Sequence, residues 1–207
     1  TTVTTKEDNI TYSAYLSEDG QNCWIYKVTP DSDISIKTLN FPNSIQNAIV
    51  TKLGNKERTG DFADFMNNIF GIIIEPYHQV DGYDKMPKGI QYVNIPSTVN
   101  EITLGTFCGF RDLKSIVIPD GVKEIRYATF YNCKKLQEVV FPASLEVIPI
   151  HSFQRCKSLS SISISKNSTN FICYKGMLLT KDKSKLVWVQ PKIDKIITFA
   201  RAASTVA

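Results

Sequence analysis

Between residues 95 and 163 one pattern is written three times at a fixed spacing of 23 residues. The copies read IPSTVNEITLGTFCGFRDLKSIV (95–117), IPDGVKEIRYATFYNCKKLQEVV (118–140) and FPASLEVIPIHSFQRCKSLSSIS (141–163). Superposed, they keep apolar residues at Ile95, Ile118 and Phe141, at Val99, Val122 and Leu145, at Ile102, Ile125 and Ile148, and at Phe107, Phe130 and Phe153. Leu113, Leu136 and Leu159 fall in register, as do Ile116, Val139 and Ile162, and Pro96, Pro119 and Pro142. A period in the twenties with this many repeated apolar positions marks a solenoid, because each unit has an apolar side that it buries only against its neighbours.

An open stack exposes apolar surface and unpaired strand edges at its ends, so a cap is expected. ITYSAYL (10–16) and NCWIYKV (22–28) are runs of aromatic and β-branched residues joined by SEDGQ, whose Asp-Gly pair signals a hairpin. Residues 1–38 are therefore read as an N-terminal β-hairpin cap. LNFPNSI (39–45) and AIVTKLG (48–54) open an irregular first repeat. Within 39–94, DFADFMNNIF (61–70) places Phe62, Phe65, Met66, Ile69 and Phe70 on one face of an inserted amphipathic helix. GIIIEP (71–76) and IQYVNIP (90–96) read as strands. The regular repeats and a terminal hairpin occupy 95–207. In that hairpin GMLLTKDKSKLVWVQP (176–191) replaces the usual second half of a copy, and 191–207 begins a further, partial one. The three segments form one continuous solenoid domain.

The net charge of +4 conceals an asymmetry: Lys and Arg against Asp and Glu number 8 to 12 over residues 1–95 and 16 to 8 over 96–207. The basic half either serves acidic partners or is a lysine-rich solvated surface. No zinc-finger spacing or basic helix speaks for nucleic acid. No run of 18 apolar residues exists to span a membrane. The polar start TTVTTKEDNI implies that any signal peptide or lipid anchor lies outside this chain. Five scattered cysteines without CxxC argue against a disulfide framework and a zinc site. Cys133 and Cys156 share a repeat position that Phe110 fills in the first copy, so the slot is read as interior packing with free thiols.

The run from Ile118 and Pro119 through Val122, Ile125, Phe130, Cys133 and Leu136 to Val139 resembles the BspA-like, or Treponema pallidum-type, leucine-rich repeat. Phe141, Pro142, Leu145, Ile148, Phe153, Cys156, Leu159 and Ile162 repeat it. The first copy departs from the pattern, with Cys108 after its Phe and Phe110 in the Cys slot. The resemblance implies an α+β right-handed superhelix with a parallel β-sheet, short second strands such as KEI (123–125), and helical turns such as YATFYNC (127–133). It also implies a non-enzymatic module on a cell surface, or outside the cell, that adheres to a protein or surface component, host extracellular matrix among them.

On that fold the stretch 113–119 is a strand with Leu113, Ile116 and Ile118 inward. The exposed ladder, and the candidate partner-binding face, is then Tyr92 and Asn94, Ser115 and Val117, Glu138 and Val140, Ser161 and Ser163. Arg111, Lys134 and Lys157 stack along one edge and offer a second surface to an acidic glycan or other polyanion. A structural spacer with a plain solvated sheet is the remaining reading. The protein is expected to act as a monomer, without cofactor, metal or catalytic residues.

Motifs for nucleotide, zinc-protease or serine-hydrolase chemistry are absent from the sequence. His151 lies in a repeat turn. Glu75, His78, Asp81 and Asp84 have ligand-like spacing, but Pro76 and Gly82 among them oppose the helix that would align them. Asn9 and Asn167 match the N-glycosylation pattern.

Overall fold

A computed structural model describes residues 1–31, 36–54, 73–74, 89–149 and 151–190. The expected helix at 61–70, the Glu75 to Asp84 run and the partial copy at 191–207 lie outside the described residues.

The chain begins with an antiparallel meander of β1 (Thr2–Glu7), β2 (Ile10–Leu16) and β3 (Asn22–Pro30). Asp8 and Asn9 make the first turn in the left-handed region, at φ 48° and 64°, a conformation that short polar side chains tolerate. β1 lies beyond the hairpin read from the sequence; its TVTTKE run is largely exposed and carries no apolar signal. β2 and β3 bury Ile10, Tyr12, Ala14, Cys23, Ile25 and Val28.

The next strands, β4 (Thr38–Asn40), β5 (Ser44–Ile45) and β6 (Ala48–Leu53), join two different sheets. β6 runs parallel to β3, with Cys23 opposite Val50 and Ile25 opposite Leu53. β7 (Ile73–Ile74), inside the strand expected at 71–76, pairs with the far half of β3. The other sheet takes β4, then β8 (Tyr92–Asn94), and after β9 (Glu101–Ile102) continues with β10 (Ser115–Val117), β11 (Glu138–Phe141) and β12 (Ser161–Ile164). Its order is β12-β11-β10-β8-β4, all parallel. β9 extends the first sheet by pairing with β6, Leu53 opposite Ile102. Thus 39–54 supplies both strands of a first repeat, and residues 55–88 intervene before its neighbour. The last elements, β13 (Phe171–Tyr174), β14 (Met177–Thr180) and β15 (Leu186–Val189), form a separate antiparallel meander.

The interior follows the repeat register. Val99, Val122 and Leu145, Ile102, Ile125 and Ile148, and Leu113, Leu136 and Leu159 are all buried. The repeated phenylalanines form a ring column: Phe107 and Phe130 stack at 5.9 Å between centroids, and Phe130 and Phe153 at 5.6 Å with planes 1° apart. Cysteines run beside this column as free thiols. Cys156 donates to the Phe130 carbonyl at 2.9 Å, so the slot bonds as well as packs. Burial pushes the Cys133 thiol well above its ordinary pKa, which keeps it protonated as a donor.

One expectation requires correction. The described residues contain no helix, and the α+β class with helical turns is replaced by strands joined through tight turns. In 126–133 the amides of Thr129, Tyr131 and Cys133 each bond a carbonyl three residues back. Ala128 and Asn132 have φ of 54° and 62°. A left-handed residue reverses the local hand of the chain, so the bonds close single turns that do not propagate as a helix.

Candidate interaction surface

The parallel sheet brings together every side chain of the expected ladder. Tyr92, Ser115, Glu138 and Ser161 are direct partners in successive strands, and Val117, Val140 and Ser163 form the neighbouring row. Strand alternation sends Val93, Ile116, Val139 and Ile162 into the core and leaves these rows on the outer face. Val117 is 61% exposed and Tyr92 38%. Asn94 and Glu138 are also exposed, whereas Ser115, Val140, Ser161 and Ser163 are half-buried.

The face is longer than the sequence reading made it. β4 adds Thr38 opposite Tyr92 and Asn40 opposite Asn94. Asn94 Nδ2 donates to Asn40 Oδ1 at 2.7 Å, closing an amide pair between residues 54 positions apart. The signal was present in TLNFP, which has the same apolar-Asn-apolar-Pro order as YVNIP. Only the insertion between them hid the match. Across all ten positions the face carries a single ionisable carboxylate, Glu138, and no cation, so it is chemically suited to a polar and apolar contact rather than to a polyanion.

The basic edge is more mixed than its sequence suggested. Lys134 and Lys157 are exposed, but Arg111 is half-buried. Asp112, beside Arg111, pairs with Lys135 Nζ at 2.6 Å and accepts the Gly89 amide at 2.9 Å. Arg155 lies over the Tyr131 ring at 5.4 Å. A carboxylate thus interrupts the positive row at its N-terminal end.

On the opposite side, the second strands carry charges that satisfy one another. Lys52 Nζ meets Glu101 Oε2 at 2.7 Å, Arg126 approaches both Glu101 and Glu124, and Lys123 pairs with Glu146 at 3.1 Å. No cluster of three metal-ligating side chains occurs among the described residues. His151 Nδ1 is 2.9 Å from Gln154 Nε2, at the exposed surface. Among the described residues no helix is long and apolar enough to cross a membrane.

The BspA type leucine rich repeat region matches residues 85–178 in six copies. No curated protein matches the chain. Among solved structures, it is similar to a leucine rich cell surface protein of Faecalibacterium prausnitzii, with a TM-score of 0.47 and 18% identity over 78% of this chain and 39% of that one. The pneumococcal vaccine antigen PcpA is similar at a TM-score of 0.44 and 15% identity, over 91% of this chain and 56% of its own. A leucine-rich repeat protein of Bacteroides ovatus gives 0.45 and 21%, over 77% and 40%. The chain therefore spans between 39% and 56% of the length of these structures. The 23-residue register and the parallel strands of the sheet fall largely within the matched region, so residues 85–178 are similar to BspA-type leucine-rich repeats.

Proposed function

We propose that this chain is a non-enzymatic interaction module that adheres to a protein through the outer face of its parallel sheet, displayed outside the cell or on its surface. The observation that carries the reading is the in-register ladder, with Val117 and Tyr92 exposed near its middle and polar side chains around them. An apolar and aromatic centre with a polar rim is the composition that concentrates binding energy at interfaces. Stacking repeats extends such a face without new backbone design. In this reading residues 1–38 cap the stack, 39–94 are its leading repeats, and 95–207 carry the regular repeats and the terminal hairpin, all in one continuous solenoid. Surface display is the setting that the repeat family implies, and a protein ligand such as a matrix component suits the nearly uncharged face.

The test is a binding screen of the purified chain against immobilised matrix proteins at low and physiological salt. The expected result is a salt-resistant protein partner whose binding falls at least about 30-fold with Tyr92→Ala or Val117→Asp, the size of a central contact residue. A partner that binds both variants as it binds the wild type would overturn the sheet-face assignment. The absence of any protein partner would favour a spacer.

A further inference from the structure

We infer a second, separate binding site on the C-terminal meander, for an acidic polysaccharide, built from Tyr174 with Lys175 and Lys183. The ammonium groups of Lys175 and Lys183 both lie over the Tyr174 ring, at 5.2 and 5.1 Å from its centre. They reach it from opposite ends of the meander: Lys175 is in the β13–β14 turn and Lys183 in the β14–β15 turn. Two ammonium groups gathered on one ring repel each other, and among the described residues no salt bridge engages either. The ring offsets part of that repulsion through its negative face. An anion placed beside both lysines would offset more.

The backbone adds an independent observation. Lys175 and Lys183 both hold left-handed φ, 48° and 62°, at turn positions where Gly or Asn is the unstrained choice. These turns fix the backbone from which the two lysines converge on one exposed ring. Charge over the surrounding segment agrees. Residues 165–190 contain five lysines, at 166, 175, 181, 183 and 185, against the single Asp182. That carboxylate is already engaged, accepting from the Thr180 hydroxyl and from the amide and hydroxyl of Ser184.

The chemistry of the ligand follows from the one aromatic ring. Tyr174 is 37% exposed and holds the two lysines side by side, where they take sulfate or carboxylate groups of a sugar chain while the rim of the ring left uncovered meets its C–H edge. A single-stranded nucleic acid would instead need successive exposed rings to stack its bases. Phe171 is buried and Trp188 half-buried, so Tyr174 has no exposed aromatic neighbour within the meander.

The test measures the affinity of the whole chain for a heparin oligosaccharide by calorimetry, with neutral dextran and poly(dT) as comparators. Expected are salt-sensitive heparin binding, no dextran binding and weaker poly(dT) binding. Lys175→Gln with Lys183→Gln should lower heparin affinity about 5- to 10-fold, the effect of two exposed ion pairs. Tyr174→Ala should lower it by a similar factor, and circular dichroism should show the fold intact in all three substitutions. Unchanged affinity in the double variant, or no heparin binding by the wild type, would overturn the site. So would a loss confined to Arg111→Gln, Lys134→Gln and Lys157→Gln, or poly(dT) binding as tight as heparin and equally dependent on Tyr174. None of these outcomes bears on the sheet face, which is read against protein partners with different substitutions.

Discussion

Cys133 donates its thiol hydrogen to the backbone carbonyl of Phe107, one repeat earlier, at 3.1 Å. The bond adds a second donor to a carbonyl that already accepts the Phe110 amide, and it ties adjacent coils together beside the phenylalanine column. Cys133→Ala should destabilise the protein by about 1–2 kcal/mol, through the lost bond and the lost volume. Phe130→Ala should cost about 3–5 kcal/mol, because it removes the middle ring of the column. Urea denaturation of the two variants checks the ranking, which fails if the cysteine change costs as much as the phenylalanine change.

Gly54 follows β6 and packs against Thr103 and Thr106 of the first regular repeat. It sits at φ 112°, and a Cβ there would lie 1.9 Å from Thr103 Oγ1 and 2.5 Å from Thr106 Oγ1. Both threonines are buried, and Thr106 Oγ1 is held by a 2.8 Å bond to the Thr103 carbonyl. Gly54→Ala should therefore cost about 2–4 kcal/mol, from backbone strain together with overpacking. Thr103→Ala in the same chain should recover part of that loss in thermal or urea unfolding. No recovery would mean that strain at φ, and not the contact with Thr103, carries the effect.

Asp182 sets a pH response in the C-terminal hairpin turn. Hydrogen bonds from the Thr180 hydroxyl, then from the Ser184 amide and hydroxyl, lower its pKa from 3.8 to about 2. The charged form is the one held, so its contribution to the turn is complete above the unfolded value. It is lost as pH falls through the folded value. Carboxyl titration by NMR should place the midpoint near 2, and Thr180→Val should raise it toward 3.8. A midpoint in the wild type at the ordinary value would show that these bonds do not form in solution.

Much of the architecture was legible because burial imposes the same demand on every coil. Leu113, Leu136 and Leu159 recur at 23 residues since each fills the same interior position, and the outer ladder follows from them by strand alternation. β1 was not legible, because an exposed edge strand needs no apolar pattern. The helical reading of 127–133 failed for a related reason. The helical turn there came with the family resemblance and not from the residues, and nothing in the residue types marks Ala128 as left-handed.

The repeat, its period, the inward residues and most of the outer ladder are readable from the residues alone, because these depend on spacing along one coil. That β4 extends the sheet, that Asp112 interrupts the basic edge, and that Lys175 and Lys183 meet on Tyr174 emerge with the folded chain. Each of these depends on where the chain returns after an insertion or a turn. Local periodicity carries no record of that, since contacts between coils are set by packing in three dimensions.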